Sequence, residues 1–141
     1  MDRAEEIIDE LKIVCESLGM PVEIDRRFDL DGDEMPLAVI RTGDEESAWR
    51  DSDPSAVWFR RWLMRPSVEI SIREPRTALQ TAAANAIWMG FIAAFRDSKL
   101  NDKGLLATAS KPTMLREVEL PDEGVEFVRI LITLELHFER K

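Results

Sequence analysis

Few side chains in this 141-residue chain carry the chemistry of catalysis or metal binding, and those few are scattered. The single histidine, His137, sits among alternating apolar residues, three positions before the basic pair Arg140-Lys141. That is the setting of a strand-surface histidine. Asp29-Leu30-Asp31-Gly32-Asp33-Glu34 has the aspartate spacing of a calcium loop. An EF-hand loop needs glycine at its sixth position and a bidentate glutamate at its twelfth. Counted from Asp29, those positions hold Glu34 and Ile40, so the segment reads as an acidic hairpin tip. The carboxylates Asp44, Glu45, Glu46, Asp51 and Asp53 lie in polar stretches. General acid–base work needs burial or fixed neighbours to shift a pKa, and nothing in those stretches supplies either. No Gly-rich phosphate loop, Gly-x-Ser-x-Gly turn or Cys/His cluster occurs. The lone Cys15 has no disulfide partner and falls on an apolar helical stripe, as a small buried hydrophobe does. The expectation is a protein with no catalytic residues, no metal and no cofactor.

Two features point instead to association. The first is residues 82–95, apolar but for Asn85, which read as a helix greasy nearly all the way round. A helix on a sheet needs only one apolar stripe. The surplus is covered either by the first helix within one subunit or by another subunit or partner. The second is the run containing Trp49, Trp58 and Trp62 beside Arg50, Arg60, Arg61 and Arg65. Trp and Arg are enriched at interface hot spots, but the same tryptophans would also serve to cover an open sheet face. The candidate interface residues are therefore Trp58, Arg60, Arg61 and Trp62, with Trp88, Phe91, Ile92 and Phe95 on the helix.

Length and composition bound the rest. A single domain of this size buries roughly 70% of the surface of its unfolded chain. The hydrophobic fraction of 45% and charged fraction of 33% are those of a globular protein, and the net charge is −9. So acidic a surface does not grip nucleic acid, although it suits a conduit along which DNA must slide. The apolar run of about 14 residues falls short of the ~20 needed to span a bilayer, and the acidic N-terminus lacks a signal-peptide core.

The elements that must position these residues follow from pattern. Asp2-x-x-Glu5 is a capping box and Gly19 a stop, bracketing a helix with an Ile7, Leu11, Val14 and Leu18 stripe. Runs at 22–25 and 36–41 are expected to pair as a hairpin with Asp31-Gly32 at its tip. Residues 43–47 form a polar loop, and 54–65 read as either a helix or an extended arm, with the arm preferred. Val68-Glu69-Ile70-Ser71-Ile72-Arg73 alternates as a strand, and Thr77-x-x-Gln80 is a second capping box opening the apolar helix. The C-terminal third reads as a hairpin of residues 114–120 and 125–138, with Val128, Ile130, Ile132, Leu134, Leu136 and Phe138 on the inner face. The expected fold is α+β, a mixed and mainly antiparallel sheet with two main helices on it, in the order α-β-β-(arm)-β-α-β-β over residues 1–141.

This order resembles the tail terminator proteins of long-tailed bacteriophages. The matching features are the N-terminal helix, a strand opened by proline (Met35-Pro36-Leu37-Ala38-Val39-Ile40) and the strand Val68-Glu69-Ile70-Ser71-Ile72. They continue with the Ala-rich helix, Asp97-Ser98-Lys99-Leu100, and the closing strand Ile130-Leu131-Ile132-Thr133-Leu134-Glu135-Leu136. The resemblance implies a hexameric ring that caps the head-proximal end of the tail tube and stops its polymerisation. The tail tube protein and a head-completion or connector protein would then be partners. DNA would pass through without specific binding, no membrane would be involved, and the protein would sit in the virion neck after assembly in the bacterial cytoplasm. The Trp-rich segment departs from the family pattern. Two other roles fit the same residues: another neck or head-completion protein, or a small-molecule-binding α+β homodimer.

Overall fold

The computed structural model describes residues 1–27, 34–48, 59–101, 103–107, 111–119 and 126–140. Its elements are α1 (Arg3–Glu16), β1 (Val22–Ile24), β2 (Leu37–Arg41), β3 (Glu45–Ser47), β4 (Arg61–Met64), β5 (Ser67–Arg73), α2 (Thr77–Asp97), β6 (Thr113–Glu119) and β7 (Phe127–Glu139). The architecture is α+β, with a mainly antiparallel mixed sheet and two helices, as the pattern predicts.

The sheet is organised along β7. One side of β7 pairs with β5 (Ser67↔Thr133) and then with β4 (Met64↔Leu136), so β4 and β5 lie end to end. Arg65 and Pro66 join them, and the Pro66 carbonyl still accepts the Leu134 N–H at 3.0 Å. The other side of β7 pairs with β6 from Thr113↔Glu135 to Glu119↔Arg129. The expected C-terminal hairpin therefore forms, while its tip at residues 120–125 lies outside the described residues. The six alternating β7 residues from Val128 to Phe138 are all buried. They meet Val68 and Ile70 of β5 and the inner stripe of α1 in one core.

Three expectations are corrected. β1 and β2 are parallel, Val22↔Ala38 to Ile24↔Ile40, and so do not make a hairpin. The chain turns away after Ile24 through Asp25, at φ 52°, and returns to start β2 alongside Pro21, whose carbonyl accepts the Ala38 N–H. β2 is buried from Leu37 to Ile40 between β1 and β5, a central position that a simple β1–β2 meander would not require. The Asp31-Gly32 tip itself lies outside the described residues. Second, the polar stretch 43–47 contains β3, which pairs with β4 through Glu45↔Met64 and Ser47↔Trp62. Residues 61–64 are thus extended, as the arm reading has it, while 49–58 are outside the described residues. Gly43, at φ +68°, turns the chain into β3 so close to the neighbouring strand that any Cβ would strike the Arg65 carbonyl. Third, Thr77 is already inside α2 and makes no cap. Gln80 instead reaches back to the Glu74 carbonyl at 3.0 Å, and the Glu74 carboxylate accepts the Arg76 N–H at 3.1 Å.

α1 begins as expected, with the Asp2 N–H donating to Glu5 Oε2 at 3.2 Å in a capping box. It packs over β1, β2 and β7, while α2 lies against β7 and α1. Gly90 of α2 faces Leu18, in the turn that follows α1, where a Cβ would come within 3.2 Å of that side chain. Buried Glu10 ties the layer together by accepting the Lys99 N–H at 3.0 Å just past the end of α2.

Candidate interaction surface

α2 sorts its apolar residues by face. Gln80, Ala84, Phe91 and Phe95 are buried at a spacing of one helical stripe, with Phe91 0% exposed. Phe91 stacks on Trp88 with rings 6.2 Å apart and 7° from parallel, and meets Phe95 at 6.2 Å. Of the four helix residues expected at an interface, Phe91 and Phe95 thus belong chiefly to the core, because the inner stripe must fill the space over β7. Trp88 and Ile92 are half-buried at its border. Over Trp88, 5.7 Å from the ring centroid, lies the Arg116 guanidinium of β6, which also donates to Asn85 Oδ1 at 2.7 Å. The outward face carries Leu79, Ala82, Ala86 and Met89, at i, i+3, i+7 and i+10, all exposed, with Met89 at 61%. An alternation of three and four is the repeat that a second helix reads. By length and composition α2 would also reach across a bilayer, being 21 residues long where the apolar run suggested 14. Its inner stripe, however, is committed to the sheet.

Trp62, in the described part of the Trp/Arg run, packs against a residue absent from the expected interface set. Arg140, at the end of β7, donates two hydrogen bonds to Asp2 at 2.9 Å and one to Glu45 at 2.8 Å. Its guanidinium lies 4.8 Å from the Trp62 ring centroid and 4.9 Å from that of Phe138. One cation thereby joins the cap of α1 to β3, β4 and β7. Trp62 is half-buried, and its indole N–H donates to the Phe59 carbonyl at 2.8 Å. Arg60 is exposed, and its carbonyl accepts the Arg140 N–H; Arg61 is half-buried, while Trp58 lies outside the described residues. The Arg140 hydrogen bond holds the Asp2 carboxyl below its ordinary 3.8, and Asp2 in turn raises the guanidinium. A carboxylate with a lowered folded pKa contributes stability above its unfolded pKa and loses it as pH falls through the folded value. Arg140→Ala is therefore expected to lower stability by about 1–2 kcal/mol at neutral pH and to alter the Trp62 fluorescence. The stability gap, followed by thermal denaturation, should narrow below about pH 4 as Asp2 protonates.

The described carboxylates among the remaining candidates for chemistry pair with arginines. Asp44 and Glu46 lie beside Arg65 at 3.7 and 2.6 Å, and Glu34 bonds Arg26 at 2.6 Å. The rest of the acidic tip and Asp51/Asp53 lie outside the described residues. Cys15 is fully buried, and burial pushes its thiol up to about 12, so it is protonated at neutral pH. Among the described residues no three His, Cys, Asp or Glu converge as metal ligands. His137 is half-buried on the sheet face opposite Phe138, opposite Leu63 of β4.

On that outer face, charges of alternating sign cross four strands: Arg41 bonds Glu69 at 2.9 Å, Arg129 lies 3.3 Å from Glu69, and Glu119 lies 3.5 Å from Arg129. Such a ladder pins register and makes the outer face charged, in contrast to the outward face of α2. A scan against protein-family models finds no match to this chain, and a search of the curated proteins finds none either.

Proposed function

We propose that this chain is a structural assembly subunit that forms a ring, in the manner of a bacteriophage tail terminator, capping the head-proximal end of a tail tube. The observation that carries the reading is the exposed Leu79–Ala82–Ala86–Met89 face of a helix whose other side is already packed. On a chain of net charge −9, apolar surface at helix-packing spacing is surface kept for a protein neighbour. The resemblance in element order supports the same reading and supplies the ring, the tail tube and the head-completion protein as neighbours. A negative subunit suits a channel that DNA phosphates traverse without sticking. The protein would act without catalysis, cofactor or membrane, as part of the virion neck.

A small-molecule-binding homodimer is favoured by one observation, an open groove of about 460 Å³ at the C-terminal end of α2. Electron microscopy separates the two readings. Purified protein, alone and mixed with tail tubes, is expected to show annular particles with a central hole and tubes capped at one end. Discrete dimers and uncapped tubes would overturn the ring.

A further inference from the structure

We infer that the groove at the end of α2 receives the outer face of α1 from a second copy of this chain. The inference rests on the ring reading and names one of its contacts. The floor of the groove is apolar, from Ile92, Phe95, Leu106 and Met114, and its rim carries Arg96 and Lys111. Both cations are exposed, and Arg96, though 3.7 Å from Asp97, keeps 68% of its side-chain surface open. Arg96 and Met89 are seven residues apart on one face of α2, so the groove continues the exposed apolar stripe. An occupant that matches it must bring an apolar side chain with carboxylates on either side.

The outer face of α1 has that composition. Ile13 is 58% exposed, with exposed Asp9 one turn before it and exposed Glu16 one turn after. The other exposed apolar knobs on helices, Leu79 and Met89, have no acidic residue within a turn, and Phe59 is followed by Arg60 and Arg61. The two patches are distinct parts of one subunit: α1 packs over β1, β2 and β7 and turns its outer face away from them, whereas the groove lies between the end of α2 and β6. Contact between unlike patches is head-to-tail, and it closes into a ring where the rotation permits. Like-charge juxtaposition would weaken such a contact, and opposite charges steer it.

A charge exchange tests the pairing. The variant Arg96→Glu/Lys111→Glu and the variant Asp9→Lys/Glu16→Lys should each weaken assembly by about tenfold or more, read as mass by sedimentation. Both should keep the wild-type circular dichroism and the melting temperature of the dissociated wild-type chain, since all four side chains are exposed. An equimolar mixture of the two variants should recover assembly, because alternating subunits then pair opposite charges at every contact. A wild-type ring that tolerates both variants, or a mixture that stays dissociated, overturns this contact and leaves the ring reading standing. A wild-type chain that stays monomeric overturns both.

Discussion

Replacing Phe91 by alanine is expected to remove about 3–5 kcal/mol of stability, a large share of the roughly 5–15 kcal/mol that holds a domain of this size folded. Phe91 is wholly buried, with Trp88 stacked on one side and Phe95 tilted on the other. Truncation loses the transfer free energy of the ring and leaves a cavity that the rigid β7 side chains do not collapse to fill. For 141 residues, such a loss lowers the melting temperature by about 10 °C or more. Scanning calorimetry measures it. A loss under about 1 kcal/mol would show that Phe91 does not anchor α2 to the sheet, since isosteric swaps alone reach that level.

Met89→Glu, only two positions earlier, is expected to act in the opposite sense. Met89 is 61% exposed, so the isolated subunit should fold as before, within about 0.5 kcal/mol. In an assembly that covers the outward face of α2, the same carboxylate is buried without a partner, which costs about 3–5 kcal/mol. That is at least a hundredfold in association. The expected outcome is an unchanged melting curve for the dissociated subunit with assembly lost. Assembly at wild-type concentrations would show that this face stays in water. The two variants together separate the inner and outer roles of one helix.

Much of this arrangement is legible in the chain before any coordinates. Period-two alternation places all six inner residues of β7, and the Asp2–Glu5 box and Gly19 bracket α1, because each rests on local physics. The surplus of apolar surface on α2 is legible too, although the division among Trp88, Phe91, Ile92 and Phe95 depends on what the helix lies against. Periodicity reports which face of a strand is buried and not which neighbour it pairs with, so parallel β1–β2 pairing reads from sequence like a hairpin. Asp31-Gly32 strengthens that misreading, since a turn signal does not reveal how far the chain travels before it pairs. β3 is short and acidic, stabilised by β4 and by ion pairs to Arg65 and Arg140, none of which leaves a hydrophobic signature. Arg140 is a single cation at the end of a strand, and its role emerges only when Asp2, Glu45 and Trp62 converge on it.

On the proposed reading, the outward face of α2 is covered by another protein chain, first of all another copy of this one. The most direct test is the solution mass of the purified wild-type chain, measured by sedimentation equilibrium across a wide concentration range. A mass several-fold above the 16.2 kDa of one chain is expected, reaching that of a closed ring of six as concentration rises. A constant mass of one chain at the highest concentration would contradict it.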